Sequence, residues 1–122
     1  MTIPVLVTLD QVVAHLKIPA PVLGSPPSAE QLDLQQKLDA ATQLVCEHIA
    51  DRQPPDDAWV ATIEAWTTTT APPLVALAVL ELTSYVTRYR GDDGWSEQPM
   101  TPGYLPTPVM NLLVRYRSPV LA

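Results

Sequence analysis

Proline divides this chain into separate segments, and its placement limits what the chain can fold into. Most of the 14 prolines fall at 19–27, 54–55, 72–73 and 99–108. Proline lacks a backbone N–H and disfavours helical geometry in the residue before it, so each cluster marks a boundary between regular elements. A length of 122 residues, with 47% hydrophobic and 16% charged, predicts one folded domain spanning residues 1–122.

Between the proline clusters, apolar residues recur with the spacing of one helix face. A first helix is predicted from Thr8, whose hydroxyl can cap it, to about Ile18. A second begins at Ser28, which can form a capping box with Gln31, and continues to about Asp51. The predicted buried stripes are Leu9, Val12, Val13 and Leu16 in the first helix, and Leu34, Leu38, Ala41, Val45 and Ile49 in the second.

The middle of the chain is harder to assign. AWVATIEAW at 58–66 fits the period of a short helix and that of a strand, and TTTTA at 67–71 is left unassigned. Thr70 can cap a central helix over 74–90, with one of the prolines at 72–73 in its first turn. The first half of that helix is apolar nearly all round, which predicts burial on several sides.

A long loop and a last helix complete the chain. The loop at 91–106 holds three of the four glycines, and Gly91 is well placed to end the central helix. Trp95 in this loop is either an interface aromatic or folded back onto the core, two alternatives with about equal weight. A last helix is predicted to begin at Thr107, with a buried stripe of Val109, Leu112, Leu113 and Tyr116. The fold class that follows is all-α, a small bundle of about four to five helices with long proline- and glycine-rich loops.

Charge is unevenly distributed and argues against binding to nucleic acid. The net charge is −6, and all of it lies in residues 1–70. An acidic domain is a poor candidate for gripping a phosphate backbone, which needs clustered Lys and Arg. Arg115 and Arg117 near the end of the chain are better explained by carboxylates on a neighbouring subunit or by a helix end.

No set of reactive groups predicts catalysis, a cofactor site or a metal site. Cys46, His48 and His15 could supply three metal ligands, but C-x-H on a helix does not direct both side chains to one point. The acids Asp56, Asp57 and Glu64 are better explained by a turn and a helix start than by an acid pair. Asp92 and Asp93 similarly fit turn chemistry beside glycine better than a cation site.

Two further features bound the class of protein. Cys46 is the only cysteine, so no disulfide within the chain is possible. The amino terminus lacks the basic and apolar regions of a signal peptide, and the longest apolar run, at 74–80, is too short to span a bilayer.

Trp59 and Trp66 lie seven residues apart, on one face if that stretch is helical, so core packing is the default explanation for both.

Four stretches, taken in order, resemble the phage head–tail connector family, also called head-completion or adaptor proteins. VTLDQVVAHLKI at 7–18 is similar to the family's opening helix, and LDLQQKLDAATQLVCEHI at 32–49 to its helix with paired alanines. PPLVALAVLELTSYVTRYRGD at 72–92 and LPTPVMNLLVRYRSP at 105–119 are similar to its last two helices. Together the stretches cover a little over half of the chain.

The resemblance implies a subunit of a ring, usually twelvefold, that docks on the portal protein after DNA packaging. The ring would extend the DNA channel without sequence-specific binding and join a downstream neck or tail protein, in a virion whose chains are made in the host cytoplasm. No catalysis, cofactor or membrane is implied, and the chain can be monomeric in isolation. We expect partner contacts in the loop at 91–106 and in a C-terminal docking segment at 105–122, at Trp95, Tyr104, Arg115, Tyr116 and Arg117.

Two alternatives stay open besides the connector. The nearer is another phage neck or tail-completion protein, which shares the structural role but not the partner. The other, from a different class, is a small DNA-binding or regulatory helical protein, against which the net charge of −6 counts. An enzyme is the weakest of the possibilities considered.

Overall fold

The computed structural model describes residues 1–17, 28–89 and 105–117, apart from the side chains of residues 88 and 89. These ranges contain five helices and no strand, so the prediction of a small all-α bundle is confirmed. The connector at 19–27, Gly91 and the loop at 91–104 lie outside the described residues, as do Asp92 and Asp93. The helices are α1 Leu9–Leu16, α2 Ala29–Ala50, α3 Asp57–Glu64, α4 Pro73–Tyr89 and α5 Thr107–Arg117.

The predicted caps at the start of α1 and α2 are present. The Thr8 hydroxyl accepts the Gln11 N–H at 3.2 Å, and the Gln11 side-chain oxygen accepts the Thr8 N–H at 2.8 Å. The Ser28 hydroxyl likewise accepts the Gln31 N–H at 3.1 Å. Helix α1 ends at Leu16, slightly earlier than predicted, because Lys17 adopts a left-handed conformation with φ of 57°.

Helices α2 and α4 form the centre of the bundle. Helix α4 contacts α1, α2 and α5, so it is buried on several sides as predicted, although Leu77 in its apolar first half is 38% exposed. Lys37 and Asp33, one turn apart on α2, pair at 2.7 Å. The predicted inner stripe of α2 is buried in full and packs with residues of α4 and α5, chiefly Val75, Ala78, Val79, Leu82, Val109 and Leu113.

Residues 58–66, for which the sequence allowed a helix or a strand, lie mostly in α3. Thr70 is not the cap of α4, so that prediction was wrong. Its hydroxyl accepts the Thr67 N–H at 2.9 Å, while the Thr67 hydroxyl accepts the Thr70 N–H at 3.2 Å, which closes a separate turn. Helix α4 instead begins at Pro73, and the Pro72 carbonyl accepts its first backbone N–H groups. Proline in the first turn of α4 is confirmed.

The amino-terminal segment adds to the core, which the sequence did not predict. Leu6 and Val7 are buried although they precede the first helix. The segment lies against α2 and leaves a cleft of about 210 Å³ lined by Ile3, Pro4, Val5, Val7, Gln35, Leu38, Asp39, Thr42 and Gln43. This volume is below the roughly 300–1,000 Å³ of typical small-molecule pockets.

Candidate functional site at the carboxyl ends of α2 and α5

The carboxyl ends of α2 and α5 meet, and an arginine joins them. Arg117 is the last residue of α5, and Asp51 directly follows α2. The Arg117 Nη2 lies 3.2 Å from an Asp51 carboxylate oxygen, and its Nε donates to the Asp51 carbonyl at 3.5 Å. A cation placed at a helix carboxyl end also offsets the partial negative charge of the unpaired carbonyls there. Arg117 thus lies at a helix end, one of its two predicted roles, and the carboxylate it meets here belongs to the same chain.

Arg52 also contributes to this meeting point of the carboxyl ends of α2 and α5, here called the junction. Its Nε and Nη2 donate to the Tyr116 carbonyl at 3.2 and 2.6 Å, so Arg52 caps the carboxyl end of α5. Its Nη1 lies 3.6 Å from an Asp56 carboxylate oxygen, and its side chain is only 12% exposed. Sequence reasoning missed this residue, since the run RQPPDD indicated a turn and carried no sign of a partner 64 residues away.

Arg52 packs on Trp59, which in turn contacts Trp66. The guanidinium carbon of Arg52 lies 3.8 Å from the centroid of the Trp59 ring, which is a cation–π contact. The Trp59 indole N–H donates to the Ile49 carbonyl in the last turn of α2 at 2.7 Å. Trp66 meets Trp59 edge-on, with ring centroids 5.6 Å apart and an interplanar angle of 83°. Both tryptophans are partly buried and pack on the core, as predicted.

His48 lies within this charged junction. Partial burial and, second, the charge of Arg117 lower its pKa, while Asp51 acts in the opposite direction. The neutral imidazole is therefore favoured in the folded chain. The junction thus combines two arginines, two carboxylates and a neutral histidine around the ends of two helices.

The structure separates the predicted contact residues of the last helix. Tyr116 is partly buried and packs against the core, and Arg117 is held by Asp51. Arg115, which directly precedes Tyr116 on α5, is exposed. Trp95 and Tyr104 lie outside the described residues. Arg115 is therefore a predicted contact residue of α5 that is exposed and is not among the residues that join α2 to α5.

Two exposed helix faces lie outside the junction. The first, here called the α2 outer face, consists of Leu32, Gln36, Asp39, Ala40, Gln43 and Glu47, of which Asp39 and Gln43 lie at the edge that also lines the cleft beside the amino-terminal segment. The second, the α5 outer face, is opposite the buried residues of α5 and consists of Thr107, Asn111, Val114 and Arg115. Each face carries an apolar side chain more than half exposed, Leu32 at 57% and Val114 at 54%.

The candidate metal ligands do not come together. Cys46 is fully buried, and burial raises the pKa of its thiol to about 12. His15 lies on α1, where its Nε2 is 3.4 Å from a Glu81 carboxylate oxygen of α4. Within the described ranges, no group of three or more His, Cys, Asp or Glu side chains is arranged to hold a metal ion.

Comparison of the chain with protein-family models, with curated protein sequences and with solved structures yields no match. Among the helices of the described ranges, none has the length and apolar character needed to cross a membrane. The site geometry and the sequence resemblance therefore carry the functional argument.

Proposed function

We propose that this chain is a structural subunit of a phage head–tail connector ring. In that role it would dock on the portal protein, extend the DNA channel and present a surface to the next neck or tail protein. Its working parts would be contact surfaces, with the segment at 105–122 as the principal docking element. The mature ring would lie in the neck of the virion.

The observation that carries this proposal is the agreement between the resemblance and the helices. Each of the four stretches that resemble the family coincides with one helix, in the order α1, α2, α4 and α5; the second stretch lies within α2, and the other three helices lie within their stretches. These four helices contribute to one core, in which α2 and α4 contact each other and both α1 and α5. Helix α3 lies between the second and third stretches and adds Ile63 to the same core. Helical periodicity alone would place helices here, but it would not require the four to pack as one unit.

The chemistry of the described residues favours assembly over the other classes considered. Of the two arginines near the end of α5, Arg117 is paired with Asp51 at 3.2 Å and Arg115 is exposed. One exposed arginine is far from the clustered Lys and Arg that binding to a phosphate backbone requires, which weakens the DNA-binding alternative. The only thiol is buried with a pKa near 12, so it would be a poor nucleophile. A related neck or tail-completion role has the same physical basis and differs only in its partner.

The proposal is tested by mixing the purified chain with the portal protein encoded in the same genome, and separately with the tail-tube protein. We expect a complex with the portal in size-exclusion chromatography, and rings of this chain seated on the portal in negative-stain images. A complex with the tail tube alone would favour the tail-completion alternative. No complex with either protein, or a gene neighbourhood without portal, capsid or terminase genes, would overturn the assignment.

A further inference from the structure

We infer that the α2 outer face of one copy of this chain binds the α5 outer face of the next copy. The inference rests on the proposed function, because it names the surfaces that would join neighbouring subunits of the ring. It follows from the charge, the exposure and the relative placement of the two faces.

The two faces are complementary in charge. The α2 outer face carries Asp39 and Glu47 and no basic residue. The one lysine of α2, Lys37, lies off this face, is paired with Asp33 and is only 13% exposed. Helix α5 contains no acidic residue, and its outer face carries Arg115. An acidic face and a basic face attract each other and disfavour pairing of like faces.

Apolar side chains lie within both charged faces. The Leu32 side chain on the α2 outer face and the Val114 side chain on the α5 outer face are both more than half exposed. Single exposed apolar residues are common, but here each lies on a helix face that also carries the charge complementary to the other face. Ala40 and Asn111 are small enough to let two helices approach closely.

The two faces cannot pair within one chain. Apart from Asp39 and Gln43 at the edge of the first face, the residues of each face lie opposite the side of the helix that packs into the bundle, so both faces point outward from the common core. Pairing between two copies therefore uses a different surface on each partner, which is a heterologous contact. Repetition of a heterologous contact produces a ring when the rotation between copies closes.

The contact should be weak in solution. The α5 outer face offers four side chains over about 12 Å of helix, from the rise of roughly 1.5 Å per residue. A stable interface usually buries about 800 Å² on each partner. Two isolated copies should thus associate only at high concentration, and chemical crosslinking is a better probe than a change in mass.

The test uses two single-cysteine additions, Ala40→Cys on α2 and Asn111→Cys on α5, with a short bismaleimide at millimolar protein. Cys46 can stay because it is fully buried. A heterologous contact predicts crosslinked dimer in the mixture of the two variants and little in either variant alone. Equal crosslinking in a single-variant sample would indicate an isologous contact and overturn the inference, as would no dimer in the mixture.

Charge reversal provides the second arm. Adding Glu47→Lys and Asp39→Lys to the Ala40→Cys variant should lower the dimer yield severalfold, and adding Arg115→Glu to the other partner should restore much of it. Asp57→Lys, an exposed reversal on α3, is the matched control and should leave the yield unchanged. A yield insensitive to the reversals would overturn the inference. Rings seated on the portal without these crosslinks would leave the proposed function intact, whereas crosslinks without portal binding would contradict the function alone.

Discussion

Replacing Arg52 should destabilise the fold strongly for a residue near the surface, because its guanidinium joins α2, α3 and α5. A hydrogen bond to a charged group contributes about 1.5–3 kcal/mol, and a cation–π contact contributes about 0.5–2 kcal/mol. The partly exposed pair with Asp56 adds at most about 1 kcal/mol. Arg52→Met keeps a similar unbranched stem, so packing is largely retained. We expect it to lower the free energy of unfolding by about 3 kcal/mol.

The measurement is urea denaturation followed by far-UV circular dichroism, since the fluorescence of Trp59 would itself respond to the loss of the guanidinium. Arg115→Met is the matched control, because Arg115 is exposed on the helix that Arg52 caps, and it should change stability by less than about 0.5 kcal/mol. Arg52→Lys should fall between the two, since an ammonium keeps the charge but not the planar two-donor geometry. Equal losses for Arg52→Met and Arg115→Met would refute the role assigned to the junction.

Three further predictions concern the core and the buried titratable groups. Leu82→Ala should lower the free energy of unfolding by about 2–5 kcal/mol because Leu82 is fully buried. Leu77→Ala on the same helix should lower it far less because Leu77 is 38% exposed. Equal losses for the two variants in urea denaturation would contradict the packing described for α4. The pKa of the Cys46 thiol is raised from 9.0 to about 12, so its stabilising contribution is lost as pH rises above 9.0, and Cys46→Ala should show a weaker decline of stability in alkali. Rapid labelling of Cys46 by a thiol reagent in the native protein would contradict its burial. The pKa of His48 is lowered from 6.5, so its contribution to the free energy of unfolding is present above that value and lost as pH falls below it. His48→Gln should therefore lose less stability than the parent chain between about pH 7 and 5. An equal loss in the two proteins would contradict the environment described for His48.

Features that depend on neighbours in sequence were predictable. Thr8 caps α1 and Ser28 caps α2 because a hydroxyl can reach a backbone N–H three residues later. The stripe of α2 is buried as its periodicity indicated. The same reasoning wrongly predicted that Thr70 caps α4. The Thr70 hydroxyl instead accepts the Thr67 N–H, which closes a turn before α4 begins.

Features that depend on distant residues were not predictable in the same way. Residues 58–66 fit two periods equally well, and the helix there is accompanied by the bond from the Trp59 indole to the Ile49 carbonyl of α2. Arg52 gave no sign of its role because its partner is the Tyr116 carbonyl. For the candidate site, the sequence identified 115–117 as a cluster but did not distinguish the inward from the outward residues.

The amino-acid sequence by itself predicted the all-α class, where most of the helices lie, and which faces of α1, α2 and α5 are buried. These properties follow from side-chain period, caps and proline, all of which act within a few residues. Only the tertiary structure decided that Arg117 pairs with Asp51, that Arg52 caps the last helix, and that Arg115 remains exposed. Helix periodicity sets the direction of a side chain around its own axis, whereas the partner it meets depends on how the helices pack against each other.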